Sequence, residues 1–551
     1  MNRDLFRFTA FRAWGLALLL LAGPASAQVQ IATETAELPP GVPLTVRDGA
    51  VDLTLNDAVE LALRRNLGLV IERYTRSQAR LGVQQALGVY DLGSSINLSA
   101  NNLSSPPASV TQATESNQQQ ATFGLAQVIP SGGQVSVGWR TTRSETDLSG
   151  DFSFVNPQYN SSLNLAFTQP LLQNFGRDAN ERQLLIARNQ SLASSQEFSR
   201  QVIATLQQVI NAYWSLVEAR EQLNVARESL SLAKDLHERN RIQVEVGTMA
   251  PLELVQSEAN IATNEEQIIS AQTVVGNSED TLRQLLNLPP GPLWQAEIKP
   301  ATSPEVEAAP PVDVEAAIRT ALDLRPEAKT QQLLVEQARI NSRYFRNQTL
   351  PSLDLTVNYA LNGNNGVSVI DANGNRDITT GKFRDSVDQV FGIDYDGWSA
   401  QLVFGFPLQN RSARAASSIA DLALESAETT LALTEQQITT QVRQAARQVD
   451  SAAKQIEAAK ASVRFQERSL DAEKKRYENG MSSSFEITRI QQDLTAAKSR
   501  QVTAIIAYRT AVTQLQQTTA QLLETYNVAI DDPEAPADRW DFSFFGGGRK
   551  P

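Results

Sequence analysis

Residues 202–244 read VIATLQQVINAYWSLVEAREQLNVARESLSLAKDLHERNRIQV, and the period of this stretch decides the fold. Val202, Val209, Leu216, Leu223, Leu230, His237 and Val244 recur every seven residues. Three positions after most of them stand Thr205, Ala212, Ala219, Ala226, Ala233 and Asn240. Such spacing lines one face of a helix with a continuous seam. A strict seven-residue period is under-wound relative to 3.6 residues per turn and favours left-handed supercoiling. Large residues alternating with alanine let neighbouring helices approach closely.

The stretch is written twice. Val442, Val449, Ile456, Val463, Leu470 and Tyr477 repeat the series, with Ala445, Ala452 and Ala459, at a constant offset of 233 residues. The offset holds through the turns, where Glu245, Gly247 and Glu253 match Glu478, Gly480 and Glu486. It continues where Leu254, Ile261, Ile268, Val275 and Leu282 match Ile487, Leu494, Gln501, Tyr508 and Leu515. No proline lies between Pro170 and Pro251 or between Pro407 and Pro533, and Gly176, Gly247 and Gly480 are the only glycines there. Each stretch predicts a helix of roughly 65–70 residues, about 100 Å long, then a turn and a helix running back. Ile203, Ile210, Trp214 and Val217 add a second apolar face. That face needs neighbours beyond the hairpin, which we expect other protomers to supply.

Outward from the helices, each half opens on a short helical pattern, LTLNDAVELALRRN at 53–66 and VDVEAAIRTALDL at 312–324. A strand-rich region follows, then a junction, Gln169-Pro170-Leu171 or Phe406-Pro407-Leu408. The organisation predicted is a leader at 1–27, an extension at 28–52, a first repeat at 53–288, a Pro-rich linker at 289–311, a second repeat at 312–530 and a tail at 531–551. Apolar residues alternate at Ile96, Leu98 and Ala100, at Phe123, Leu125, Gln127 and Ile129, at Val135, Val137 and Trp139, and at Leu163, Leu165 and Phe167. The second half alternates at Leu353, Leu355, Val357 and Tyr359, then at Trp398, Ala400, Leu402, Phe404 and Phe406. A period of two over about 10 residues is the pattern of a transmembrane β-strand. Pro130-Ser131-Gly132-Gly133 is a tight turn, whereas 104–120, 144–160 and 362–397 read as long polar loops. A soluble β-domain between the helices is the other reading of these segments.

Composition removes several function classes. With 551 residues, no Cys and one His, the chain has no disulfide framework, no thiol nucleophile and no Cys/His zinc site. No cofactor loop or nucleophile–base pair emerges, so we expect no enzyme, no cofactor and no metal. A formal charge of −12 argues against nucleic acid as a partner. Arg3, Arg7 and Arg12 precede an apolar run from Ala13 to Ala22, and Ala25-Ser26-Ala27 follows. This is a secretory leader with cleavage expected after Ala27; it carries +2, so the remainder carries −14. No Cys stands at the cleavage site, so no lipoprotein is expected.

From Leu53 to about Leu523 the chain resembles the TolC-type outer-membrane efflux proteins, the outer membrane factors. The resemblance rests on the duplication, on the order helix, strands, long hairpin, and on local phrases: Asn211-Ala212-Tyr213-Trp214, Gln169-Pro170-Leu171-Leu172, Leu350-Pro351-Ser352-Leu353 and Val246-Gly247-Thr248. It implies an α+β membrane protein whose long α-helical hairpins form a trimeric α-barrel, continuous with an outer-membrane β-barrel and reaching into the periplasm. Implied partners are two further copies in a homotrimer, a periplasmic adaptor (membrane fusion) protein, an inner-membrane efflux pump and outer-membrane lipid. The implied function is a passive exit duct of a tripartite efflux system for small molecules. A type I protein-secretion channel is an alternative within the class, and a non-channel periplasmic coiled-coil scaffold is one outside it. Family members commonly contribute four strands per chain, yet six are readable here. Ala121 to Arg143 is the extra hairpin, either widening the barrel from 12 to 18 strands or folding over its mouth or inside it.

The resemblance also points to the helix-tip turns at Gly247 and Gly480 as a periplasmic gate. Glu486 falls on the family's acidic constriction position, so three copies would ring the pore and attract cations. The next acidic position of the family is Arg489 here, spaced to pair with Glu486. Tyr477 matches a tyrosine that holds the closed tip, with Glu253 as its expected hydrogen-bond partner. A second reading needs no gate: Ser483-Ser484-Phe485-Glu486 is a capping box, Pro251 suits a first helical position, and acids favour a helix start. His237 sits in the seam as a packing residue, and Trp139, Trp214 and Trp398 read as packing or interfacial anchors.

Overall fold

In the computed structural model the described residues are 49–106, 113–147, 155–247, 249–305, 312–370, 376–479 and 481–530. The leader, most of the N-terminal extension, Gly480 and the tail 531–551 lie outside them. All described residues belong to one unit, Leu44–Pro551.

After β1 (Ala50–Leu53), α1 (Leu55–Arg65) starts at a reciprocal cap, in which Thr54 Oγ1 accepts from Asp57 N and the Asp57 carboxylate accepts from Thr54 N. Asn66 ends α1 and starts α2 (Leu67–Leu87), its side chain accepting from Gly68 N at 2.9 Å. Four long strands follow, β2 (Gly93–Ser104), β3 (Glu115–Val128), β4 (Gln134–Thr146) and β5 (Val155–Pro170). Then come α3 (Arg182–Glu245) and the returning α4 (Leu252–Leu285). The Pro-rich connection contains β6 (Glu297–Pro300), which pairs in parallel with β1.

The second half has α5 (Val314–Leu324), α6 (Pro326–Asn347), β7 (Ser352–Ile370), β8 (Arg376–Thr380), α7 (Phe383–Gly392), β9 (Tyr395–Gly405), α8 (Arg411–Glu478) and α9 (Ser484–Thr518). The paired long helices contain 64 and 68 residues, about 96 and 102 Å at 1.5 Å per residue. Sequence reading placed strands directly after the opening helices. Instead α2 and α6, of 21 and 22 residues, stand between. The break ahead of α6 is covalent, since Pro326 lacks an N–H and forces Arg325 to an extended ψ of 127°.

Helices pack side by side in the order α2, α3, α6, α8, and further along the long helices as α4, α3, α9, α8. The seam is buried where the period put it: Val202, Val209, Leu216 and Leu223 on α3, and Val442 through Tyr477 on α8. The second face of α3 has a different fate from the one expected. Ile203, Ile210, Trp214 and Val217 are buried within this chain, in one core with Ala58, Val59, Leu61 and Ala62 of α1 and with Ile298 and Leu522. Tyr213 fixes that covering layer, its hydroxyl donating to Leu53 O and accepting from Thr302 N. Each fully buried valine, leucine or isoleucine side chain here contributes about 1.5–3 kcal/mol.

One sheet runs β2-β3-β4-β5-β7-β9, antiparallel throughout, with short β8 beside the end of β7. The β3–β4 hairpin is therefore an integral part of the sheet, paired between β2 and β5, and is not folded away from it. Register aligns every alternating residue on one face. One row is Leu125, Val137, Leu165, Tyr359 and Trp398; another is Ile96, Phe123, Trp139, Leu163 and Leu361. The opposite face carries Asn97, Thr122, Arg140, Ser162, Asn164, Asn358 and Ser399. The strands outrun the apolar rows, so the connections are shorter than the sequence suggested. Paired backbone continues through polar residues such as Gln118–Gln120, because ladder hydrogen bonds need no apolar side chain. Among the described residues no helix is long and apolar enough to cross a membrane.

Candidate functional site

The tips of the two hairpins meet through α3 and α9, and this contact gathers most of the residues singled out in the sequence. Gly247 closes the first turn at φ +77, a left-handed backbone that L side chains rarely adopt, and its N–H reaches Val244 O at 3.0 Å. Gly480 lies outside the described residues. On either side of that second turn, Tyr477 ends the α8 seam and Ser483 caps α9.

Tyr477 is buried, and its hydroxyl lies 2.7 Å from Asn240 Oδ1 and 3.0 Å from Gln243 Oε1, both on α3. A phenol has one proton for two acceptors. Asn240 is fully buried, and its Nδ2 has no partner. Turning that amide over lets Nδ2 donate to the phenol oxygen, which keeps its proton for Gln243. The expected partner, Glu253, is elsewhere: its carboxylate accepts from Ser484 Oγ, tying α4 to α9. Burial, and then the negative charge of Glu253, push the Tyr477 phenol above its ordinary value. Tyr477 and Glu253 are thus electrostatic neighbours without a shared hydrogen bond.

Glu486 and Arg489 do pair, Oε2 to Nη2 at 2.7 Å across one helical turn, with both side chains well exposed. The predicted capping box is half formed. Ser483 Oγ faces Glu486 N at 3.4 Å, but the carboxylate turns to Arg489 instead of back to Ser483 N. Pro251 caps α4 one residue ahead of its first turn. Arg239 to Glu478 at 3.0 Å adds an exposed bridge between α3 and α8, of modest weight in water. Glu473, mostly buried, takes Ser482 Oγ and, at 3.1 Å, Arg476 Nη1, which braces the second turn.

Sequence reasoning missed Asn240, Gln243, Ser484 and Glu473. One signal was visible: Asn240 stands in the seam where every other small position but Thr205 is alanine. A buried amide in an apolar seam needs a partner, and Tyr477 is that partner. His237 packs as expected. Ser257 Oγ spends its proton on Leu254 O at 2.9 Å, so His237 Nδ1 is the donor in the 2.8 Å contact between them. Trp214 is buried edge-on to Tyr213 with the Arg509 guanidinium 5.3 Å from its ring. Trp139 and Trp398 lie on the apolar sheet face. Among the described residues no His/Cys/Asp/Glu group is arranged to hold a metal ion.

Long helical hairpins joined at their tips and a sheet with one apolar face define the architecture of this chain. Residues 108–288 and 317–521, more than half of the chain, match the family described as outer membrane efflux protein, and the chain belongs to it. Its fold is similar to that of the outer-membrane channel OprN, with a TM-score of 0.60 at 13% identity over 84% of this chain and 89% of that one. It is similar to the CmeC outer-membrane channel of Campylobacter jejuni, with a TM-score of 0.59 at 17% identity over 87% and 90%. VceC, an outer-membrane protein of Vibrio cholerae, gives 0.59 at 14% identity over 84% and 95%. No curated protein sequence matches the chain. Membership makes the chain an outer-membrane efflux channel protein, a conduit without enzymatic chemistry.

Proposed function

We propose that three copies of this chain close into the exit duct of a tripartite efflux system, passing small molecules out through the outer membrane. The observation that carries this is the pair of unfinished edges. Among the described residues the sheet ends in β2 and β9, whose outer backbone groups lack strand partners and whose side chains are exposed. The helical layer ends in α2 and α8, with α4 taking the place of α2 towards the tips. Leu67, Ile71, Tyr74 and Leu81 lie exposed on the first, and Ile419, Leu422 and Leu433 on the second, at helical spacing. A free edge at each end of both layers favours head-to-tail joining, which closes a ring. Six long strands per copy make an 18-stranded barrel at three copies, wide enough for a water-filled channel. Its apolar face would meet lipid and its polar face the lumen.

The helical tips are the end where an adaptor protein docks and where the duct closes. Val246 and Leu252 beside the first turn, with Met481 and Phe485 beside the second, are exposed apolar residues at the tips, joined at the first by Ile242 and Val255. They suit the apolar end of a partner hairpin. The Tyr477–Asn240–Gln243 contact and the Glu253–Ser484 contact hold the two hairpins together in a closed arrangement. Opening requires both to part. Energy comes from an inner-membrane pump. Purification from outer membranes, mass determination in detergent and conductance in planar bilayers test the reading together. A trimer with large ohmic conductance is expected; a non-conducting monomer would sink it.

A further inference from the structure

The connection 362–397 reads in sequence as polar loop, yet α7 within it lies on the apolar face of the sheet. Three contacts fix the side. Ser386, fully buried, has its Oγ 2.9 Å from Ser161 Oγ. Phe383 meets Tyr159 edge-on at 6.3 Å, and Phe391 stacks on Trp139 at 5.7 Å. Tyr159, Ser161 and Trp139 all belong to the apolar face by register. Gly363, paired with Ser161, has no room for a Cβ, which would overlap the Ser386 carbonyl oxygen. The helix is seated on the sheet.

Its height follows from the same register. Phe391 stands over the row Trp139, Leu163, Leu361, the last apolar row before Thr141, Ser161 and Gly363. The N-terminal end, with Phe383 over Tyr159, stands further from the helices, above the belt. Lys382 and Arg384 are therefore at the outer end, and Phe391 and Ile393 at the belt's edge. Phe391 is 72% exposed and Ile393 57%, although Val390 beneath them is fully buried. Ile393 also adopts φ +58 at the helix stop. A β-branched residue is costly there, where glycine or asparagine would be relaxed. The chain keeps an isoleucine at a position that strains it and that leaves it facing outward.

We propose that α7 is an interfacial helix. Phe391 and Ile393 enter the acyl chains at the outer edge of the lipid-facing belt, while Lys382 and Arg384 stay level with the lipid phosphates. The occupant is outer-leaflet lipid because the exposed pair stands at the edge of the face that carries Trp398, Leu402 and Phe404, where Asp396 ends the β9 row and accepts from the Tyr359 hydroxyl. The inference rests on the outer-membrane reading given above.

The chain has no cysteine, so single-cysteine labelling is clean. Full-length Phe391→Cys, Lys382→Cys and the belt control Leu402→Cys would carry an environment-sensitive fluorophore in phospholipid vesicles. Each is quenched in turn by acyl-chain nitroxide lipid and by aqueous iodide. The labels at 391 and 402 are expected to be quenched several-fold more by the lipid nitroxide, and the label at 382 more by iodide. Lipid quenching at 402 with iodide quenching at 391 overturns the helix assignment and leaves the channel intact. Iodide quenching at 402 removes the membrane reading and this inference with it.

Discussion

Tyr477 sits where two long helices end, with its ring in the seam and its hydroxyl on two α3 amides. Replacing it by phenylalanine keeps the packing and strands those amides, at a cost of about 1–3 kcal/mol. We expect Tyr477→Phe to raise the frequency of spontaneous openings in planar bilayers, with conductance unchanged. The phenol pKa is raised in the folded state, chiefly by burial. Its contribution is therefore complete below the ordinary phenol value near 10 and is lost as pH rises through the folded value. Wild-type tips should loosen in that alkaline range, and the Phe variant should show no such step. Glu486 behaves differently, because Arg489 already neutralises much of its field. Removing either partner uncovers the other's charge, so Glu486→Gln should lower cation selectivity and Arg489→Ala should raise it, read as reversal potential in a salt gradient. A shift in the same direction from both substitutions would refute the pairing account.

Among the elements, the β3–β4 hairpin depends on one glycine. Gly132 turns at φ +90, and a Cβ there would overlap the Asn174 carbonyl and the Asn180 side chain. The turn is docked besides, since Ser131 O accepts from Gly176 N at 3.0 Å. Gly132→Val should destabilise the sheet by about 2–4 kcal/mol through backbone strain and overlap together. The check is the temperature at which the heat-modifiable band disappears from gels. The long helices and strands were readable because each has a single period over many residues. What escaped was short or mixed. The α2 pattern carries Gly68 and Gly82 and exposes half its apolar residues, so no clean stripe marks it. Helix α7 spans ten residues with charges at Arg384, Asp385 and Asp388, which resemble a loop until the sheet beneath them is known.

At the scale of the whole molecule, assembly turns on the edges. A charge in the α2 stripe, Ile71→Asp, or in the α8 stripe, Leu422→Asp, lies outside the core of the single chain, since both side chains are more than 60% exposed. Each should leave the secondary structure intact and abolish the trimer, measured as a drop to monomer mass in detergent. A folded chain that stays trimeric with both substitutions would show that the ring closes elsewhere.

Sequence alone determined the helix seams, their duplication at a fixed offset, and which residues of each strand share a face. Those properties are periodic, and a period is local information written along the chain. Tertiary structure decided the rest. It put the cover over Ile203, Ile210, Trp214 and Val217 inside the same chain, gave Tyr477 the amides of Asn240 and Gln243 in place of Glu253, and set α7 on the sheet. Each of these joins residues far apart in sequence, and which partner lies within 3 Å depends on helix rotation and strand register, quantities that only packing fixes.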